Sequence, residues 1–182
     1  MRVLGVDPGT VITGWGVIDV QGGALRHVAS GTIRAGRGEV ASRLGVIYTA
    51  LGNVMREHSP DVLSLERNFL ARNVQSAFRL GEARGVAMAA AAGFELAFFD
   101  YTPATIKKTV SGHGGAGKEQ VQVAVLRLLG MVRRLAADEA DALAAAACHA
   151  LRARFEERVR GATTKRSPAA RPGGVVRARV LG

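Results

Sequence analysis

Arg2-Val3-Leu4-Gly5-Val6-Asp7, broken by Pro8-Gly9-Thr10, is the stretch on which the reading of this chain turns. A nearly unbroken apolar run that ends in an acid and then in a turn is a buried strand whose last side chain reaches the rim of a sheet. A carboxylate on that rim needs a cation or a donor to stay ionised. The same construction returns in Asp61-Val62-Leu63-Ser64-Leu65-Glu66, and two further acids, Asp138 and Asp141, open a late Ala-rich helix. Four converging carboxylates repel one another. Divalent metal is the usual relief, and all-oxygen ligands suit magnesium or manganese.

Outward from the first strand, Thr13 to Val20 and Leu25 to Ile33 read as strands joined by a hairpin at Gln21-Gly22-Gly23. Leu44, Ile47, Tyr48, Leu51 and Met55 lie at helical spacing within Glu39 to His58, and Ser59-Pro60 ends the run. After the Glu66 strand come an Ala-rich helix from Asn73 to Ala92 closed by Gly93, and a short strand from Leu96 to Asp100. A helix capped by Thr102-Pro103, a helix from Lys118 to Leu129 and one from Asp138 to about Arg158 follow. Three strands joined by hairpins, then strands returning through helices, predict an α/β fold: a five-stranded mixed sheet with helices on both faces. In such sheets the working site lies at the strand ends where the chain order reverses, and Asp7 and Glu66 end their strands there.

The composition sets bounds. The chain has 182 residues, 48% of them apolar and only 5% aromatic, so one domain with a core of Ala, Val, Leu and Ile is expected. A single Cys precludes an internal disulfide and fits a reducing, cytoplasmic setting, and no apolar run is long enough to span a bilayer. The net charge is +10. From residue 151 onward the net charge is +7, from nine Lys/Arg and two Glu. The domain is therefore placed at 1–160, and 161–182 is read as a basic, disordered tail. Acid gathered in a site and base spread over the surface point to an enzyme acting on nucleic acid with metal help.

These stretches resemble, block by block, the RuvC family of Holliday-junction resolvases within the ribonuclease H-like superfold. The blocks are Val3 to Thr10 with Thr13-Gly14-Trp15-Gly16; Glu66 with Phe69, Arg72, Asn73 and Leu80 to Gly85; Lys107 to Val110 with Gly117 to Val121; and Asp138 to Ala144. They span about residues 1–153. The resemblance implies that Asp7, Glu66, Asp138 and Asp141 form the catalytic and metal-binding tetrad. It implies that Phe69 is a wedge aromatic and that Lys107 and Lys118 contact DNA, with Arg72, Asn73, Arg79 and Lys108 as further contacts. It also implies a homodimer that places paired symmetric nicks across a four-way junction and leaves 5′-phosphate ends. Two Mg²⁺ per subunit are expected, Mn²⁺ being a plausible substitute, and a branch-migration helicase complex of the RuvA and RuvB type is the expected partner. Glu139 departs from the pattern as a fifth acid in the last block, and Arg67 stands where relatives often carry an amide.

Phosphodiester hydrolysis needs an activated water, neutralised charge and a stabilised leaving oxygen, and paired divalent ions supply all three. Taken alone, Asp138 and Asp141 would read as ordinary acids of a helix first turn, where the dipole favours negative charge. Helix capping does not account for Asp7 and Glu66. Gly112 to Lys118 nearly spells a P-loop, but Glu119 stands where Ser or Thr must hold magnesium, so the segment reads as a loop presenting Lys118 to a phosphate. The four His residues have no metal-ligand spacing, and Cys148 and His149 are expected to serve packing. Two rival functions remain open at this stage: a junction-binding scaffold without cleavage, and a ribonuclease H-like enzyme acting on RNA-containing substrates.

Overall fold

The computed structural model describes residues 1–67 and 73–164. The elements run β1 (Arg2–Asp7), β2 (Ile12–Gln21), β3 (Ala24–Arg34), α1 (Val40–His58), β4 (Val62–Glu66), α2 (Val74–Gly93), β5 (Ala97–Tyr101), α3 (Pro103–Ser111), α4 (Lys118–Leu129) and α5 (Ala137–Thr164). The sheet has the order β3-β2-β1-β4-β5. Its β1-β2 and β2-β3 pairs are antiparallel, and its β1-β4 and β4-β5 pairs are parallel. Strand ends differ from the sequence reading by about one residue. The last helix is longer than expected, its backbone running to Thr164, past the boundary at 160.

Local chemistry explains the order. Gly22 and Gly23 both take positive φ, 56° and 89°, which a two-residue turn between right-twisted strands demands. Helix α1 stops at Ser59, which turns left-handed just before Pro60. Thr102 caps α3 by accepting a hydrogen bond from the Thr105 amide at 3.2 Å, with Pro103 in the first turn.

Strand alternation divides the core in two. Leu4, Val6, Leu63 and Leu65 face α1 and α2, where Ile47, Leu51, Met55, Ala87 and Ala91 meet them. Val3 and Ile18 face α5, joined by Leu143, Val110 and Val125. Both sheet faces are therefore covered, as a mixed sheet with a buried parallel half requires.

The seating of α5 positions the site. A Cβ added at Gly5 would stand 2.0 Å from the Ala142 carbonyl oxygen, and one at Gly14 would stand 1.9 Å from that of Asp138. On the helix side, Ala142 and Ala144 to Ala147 are buried and equally small. Glycine on the strands and alanine on the helix let backbone approach backbone. Ser64 pins the contact by donating to the Ala145 carbonyl oxygen at 2.7 Å.

Candidate active site

Three elements deliver the four predicted acids to one end of the sheet. In parallel register the last β1-β4 pair is Val6↔Leu65, and one residue further on stand Asp7 and Glu66. Alternation places both on the α5 face, along with Gly5 and Ser64. Asp7 pairs across β2 with Gly14, whose missing side chain leaves room for Asp138 in the first turn of α5. Asp141, three residues on, shares that helix face.

The electrostatics show that the four sense one another. Burial pushes the Asp7 carboxyl up from 3.8 to about 8, and the charges of Glu66, Asp141 and Asp138 push it the same way, with Lys118 pulling it back. Glu66 is raised by burial and by Asp141, opposed by Lys118 and Lys107. Lys118 opens α4, and its Nζ lies 2.9 Å from Asp141 Oδ2. Its own pKa is raised, first by that hydrogen bond. Glu66, Lys107, Lys118 and Asp141 line a cavity of about 300 Å³ floored by Ile106, Val121 and Ala144.

The donor set fits a hard divalent cation: carboxylate oxygens from three elements, carrying an uncompensated negative charge that Lys118 only partly offsets. Among the described residues no three His, Cys, Asp or Glu side chains are already closed into a coordination shell.

The remaining site residues fall in several places. Phe69 and Arg72 lie outside the described residues. Asn73 caps α2, accepting from the Ser76 amide at 2.8 Å. Arg79 and Lys108 are exposed. His113 lines a separate groove of about 690 Å³ between α3 and α4, away from the acids. Cys148 is buried, and His149, also buried, accepts or donates at 2.9 Å to the Tyr101 hydroxyl, consistent with packing roles for both.

Two features escape a sequence reading. Arg67 is not part of a free basic stretch: with Arg84 it grips Asp100, whose pKa is lowered first by the Arg67 hydrogen bond. Register places Asp100 beside Leu65, on the sheet face opposite the tetrad. The second feature concerns Glu139. It is buried, and it accepts from the Ala136 amide at 3.2 Å and from the Arg133 guanidinium at 2.5 and 3.2 Å. The capping of α5 is thus performed by the fifth acid, leaving Asp138 and Asp141 to the site.

A carboxylate cluster at the switch-point end of a ribonuclease H-like sheet, with lysines leaning over it, defines a phosphodiester-cleaving nuclease of that superfold. The sequence profile of the family described as "Crossover junction endodeoxyribonuclease RuvC" matches residues 3–149. The chain is 45% identical over 161 residues to the protein of that name from Alkalilimnicola ehrlichii, covering 88% of this chain and 98% of that one. It is 44% identical over 148 residues to the one from Pseudomonas entomophila, covering 81% and 85%. Among solved structures it matches Thermus thermophilus RuvC in complex with a Holliday junction substrate. There the TM-score is 0.82 and the identity 31%, over 86% of this chain and 96% of that chain. This chain belongs to the RuvC family of crossover junction endodeoxyribonucleases.

Proposed function

We propose that this chain acts as a homodimer in the cytoplasm, resolving four-way DNA junctions by divalent-metal-dependent hydrolysis with paired symmetric nicks that leave 5′-phosphate ends. One observation carries the reading: acids from β1, β4 and α5 meet at one sheet end, and Lys107 and Lys118 border the same cavity.

Asp7, Glu66, Asp138 and Asp141 are the residues that would hold two Mg²⁺, or Mn²⁺ in their place. When bound, such ions supply a hydroxide-like water and neutralise charge at the reacting phosphate. The protein's own part is placement. Asp7, whose carboxyl burial pushes up to about 8, has Glu66 and Asp141 as its strongest like-charged neighbours. Lys107 and Lys118 are placed to take up phosphate charge once Asp141 is engaged elsewhere. Arg72, Asn73, Arg79 and Lys108 extend the track for the DNA strands, and Phe69 supplies a stacking face for an unpaired base at the crossover.

An exposed face of α2 supports the homodimer. Val74 and Phe78 are 72% and 69% exposed, and with Ala77, Gly81 and Glu82 they border a shallow cavity. The family resemblance implies a branch-migration helicase complex of the RuvA and RuvB type as the further partner. The domain is assigned to residues 1–160, with 161–182 as a basic appendage.

The deciding experiment is cleavage of a synthetic four-way junction, run with Mg²⁺ and with Mn²⁺. Paired nicks are expected with either ion, none with EDTA, and none from Asp7→Asn, which should still bind the junction. Binding without nicking in wild type would assign a scaffold. Preferential cutting of an RNA–DNA hybrid would assign a ribonuclease H-like activity on RNA-containing substrates.

A further inference from the structure

The tetrad is carried by two kinds of support. Asp7 and Glu66 sit on neighbouring strands of a hydrogen-bonded sheet, so their backbone is fixed from both sides. Asp138 and Asp141 sit in the first two turns of a helix, where the leading amides have no intrahelical partner and the end frays. Something has to hold that end at one rotation about the helix axis, or two of the four acids will wander.

The side chains that do this lie on the far side of α5 from the tetrad. Glu139, between the two aspartates in sequence, points away from them toward β3. One of its oxygens accepts from the Ala136 amide at 3.2 Å, closing the helix start. Both oxygens take the Arg133 guanidinium, at 2.5 and 3.2 Å. The Nη2 that bonds Glu139 Oε1 also donates to Ser30 Oγ at 2.9 Å, and Ser30 in turn meets His27 Nε2 at 2.6 Å. The chain of contacts runs from the helix start through the preceding loop to β3, the outer strand of the sheet. Glu139 is only 5% exposed, and the half-exposed Arg133 reaches in to it from the surface. Its oxygens are committed to Arg133 and to the Ala136 amide, and so are turned away from a cation in the site.

We propose that Arg133, Glu139 and Ser30 form a positioning clasp that fixes the rotation of α5's first turn and so aims Asp138 and Asp141 at the metal site. The clasp contains none of the four tetrad acids. It acts through the two aspartates alone, and it rests on the tetrad assignment above. Outer contacts that orient metal ligands are worth about 10–100-fold in affinity or activity in known sites, and this clasp is of that kind.

The test uses full-length protein and three readouts: Mn²⁺ affinity by calorimetry, junction cleavage resolved into kcat and KM, and the melting temperature without metal. Glu139→Ala should weaken Mn²⁺ binding by about tenfold and lower kcat comparably, with KM for the junction unchanged. Glu139→Gln keeps one acceptor oxygen, enough for the Ala136 amide and one Arg133 nitrogen, but sets its NH2 against the other, so it should recover only part of both. Arg133→Met leaves the Ala136 cap in place and should show an intermediate loss, so it carries the test if Glu139→Ala does not fold. A lower melting temperature with Mn²⁺ affinity and kcat at wild-type values overturns the clasp and leaves an ordinary helix cap. Absence of Mn²⁺ binding and cleavage in wild type would instead overturn the tetrad assignment, a result distinguishable from the first.

Discussion

Asp7 is raised to about 8 because its charged form is desolvated and faces three other acids. The sign of the linkage follows. The folded chain holds the Asp7 proton more tightly than the unfolded chain between 3.8 and about 8, so the metal-free fold loses stability as pH rises through that window and levels off above it. Asp7→Asn has no proton to lose there. In EDTA the variant should therefore melt above wild type at pH 7.5, with the gap closing toward pH 4. Adding Mg²⁺ should raise the wild-type melting temperature and leave the variant nearly unmoved. A wild-type melting curve flat with pH in EDTA would contradict the four-acid geometry. Lys118 works in the opposite sense, pulling Asp7 and Glu66 down while bonded to Asp141. Lys118→Ala should steepen the pH-dependent loss of stability without metal. On junction DNA it should reduce the slope of log K against log salt by about one. An unchanged slope would remove Lys118 from the phosphate track.

At the scale of elements, the site depends on how closely α5 lies on β1 and β2. A methyl group at Gly14 would collide with the Asp138 backbone, which has no flexible end to move aside. Gly14→Ala should destabilise the protein by about 1–3 kcal/mol in urea unfolding. It should also lower cleavage more than junction binding, since Asp138 is the residue displaced. Stability and cleavage both at wild-type values would show that α5 does not bear on the sheet there. This contact also marks where the sequence stopped being readable. Strand and helix periods reveal the β1 and β4 runs, their terminal acids and the Asp138-Asp141 spacing, because each is a local pattern. What Gly14 faces is not local: its meaning lies in a helix start more than a hundred residues away. The same holds for Arg67: nothing near it in sequence points to Asp100, which register puts within its reach. Glu139 stands out in sequence as a surplus acid, but its partner Arg133 and the anchor Ser30 are specified only by the tertiary fold.

For the whole molecule the question is how one cluster of acids can produce two matched cuts. A single subunit holds one tetrad, so paired nicks need two subunits arranged symmetrically, and a self-complementary apolar face is the means by which like subunits pair. The exposed apolar end of helix α2 is the surface that would serve in the proposed homodimer. Its inner residues Ala83, Ala87, Ala90 and Ala91 are spent on the core, while Val74 and Phe78 stand outward at the end nearest Asn73. No helix among the described residues is long and apolar enough to cross a membrane. Phe78→Glu places a charge where the two copies of α2 would meet and changes nothing buried in the monomer. Its cost to monomer stability should stay within about 0.5 kcal/mol. Sedimentation velocity should then report a dimer for wild type and a monomer for the variant. On a plasmid with an extruded cruciform, coordinated cuts linearise the circle, whereas independent cuts first relax it. The variant should shift product from linear to nicked circular DNA while each tetrad still cuts. A variant that stays dimeric and still linearises the plasmid would move the subunit interface away from α2, leaving the chemistry proposed for Asp7, Glu66, Asp138 and Asp141 untouched.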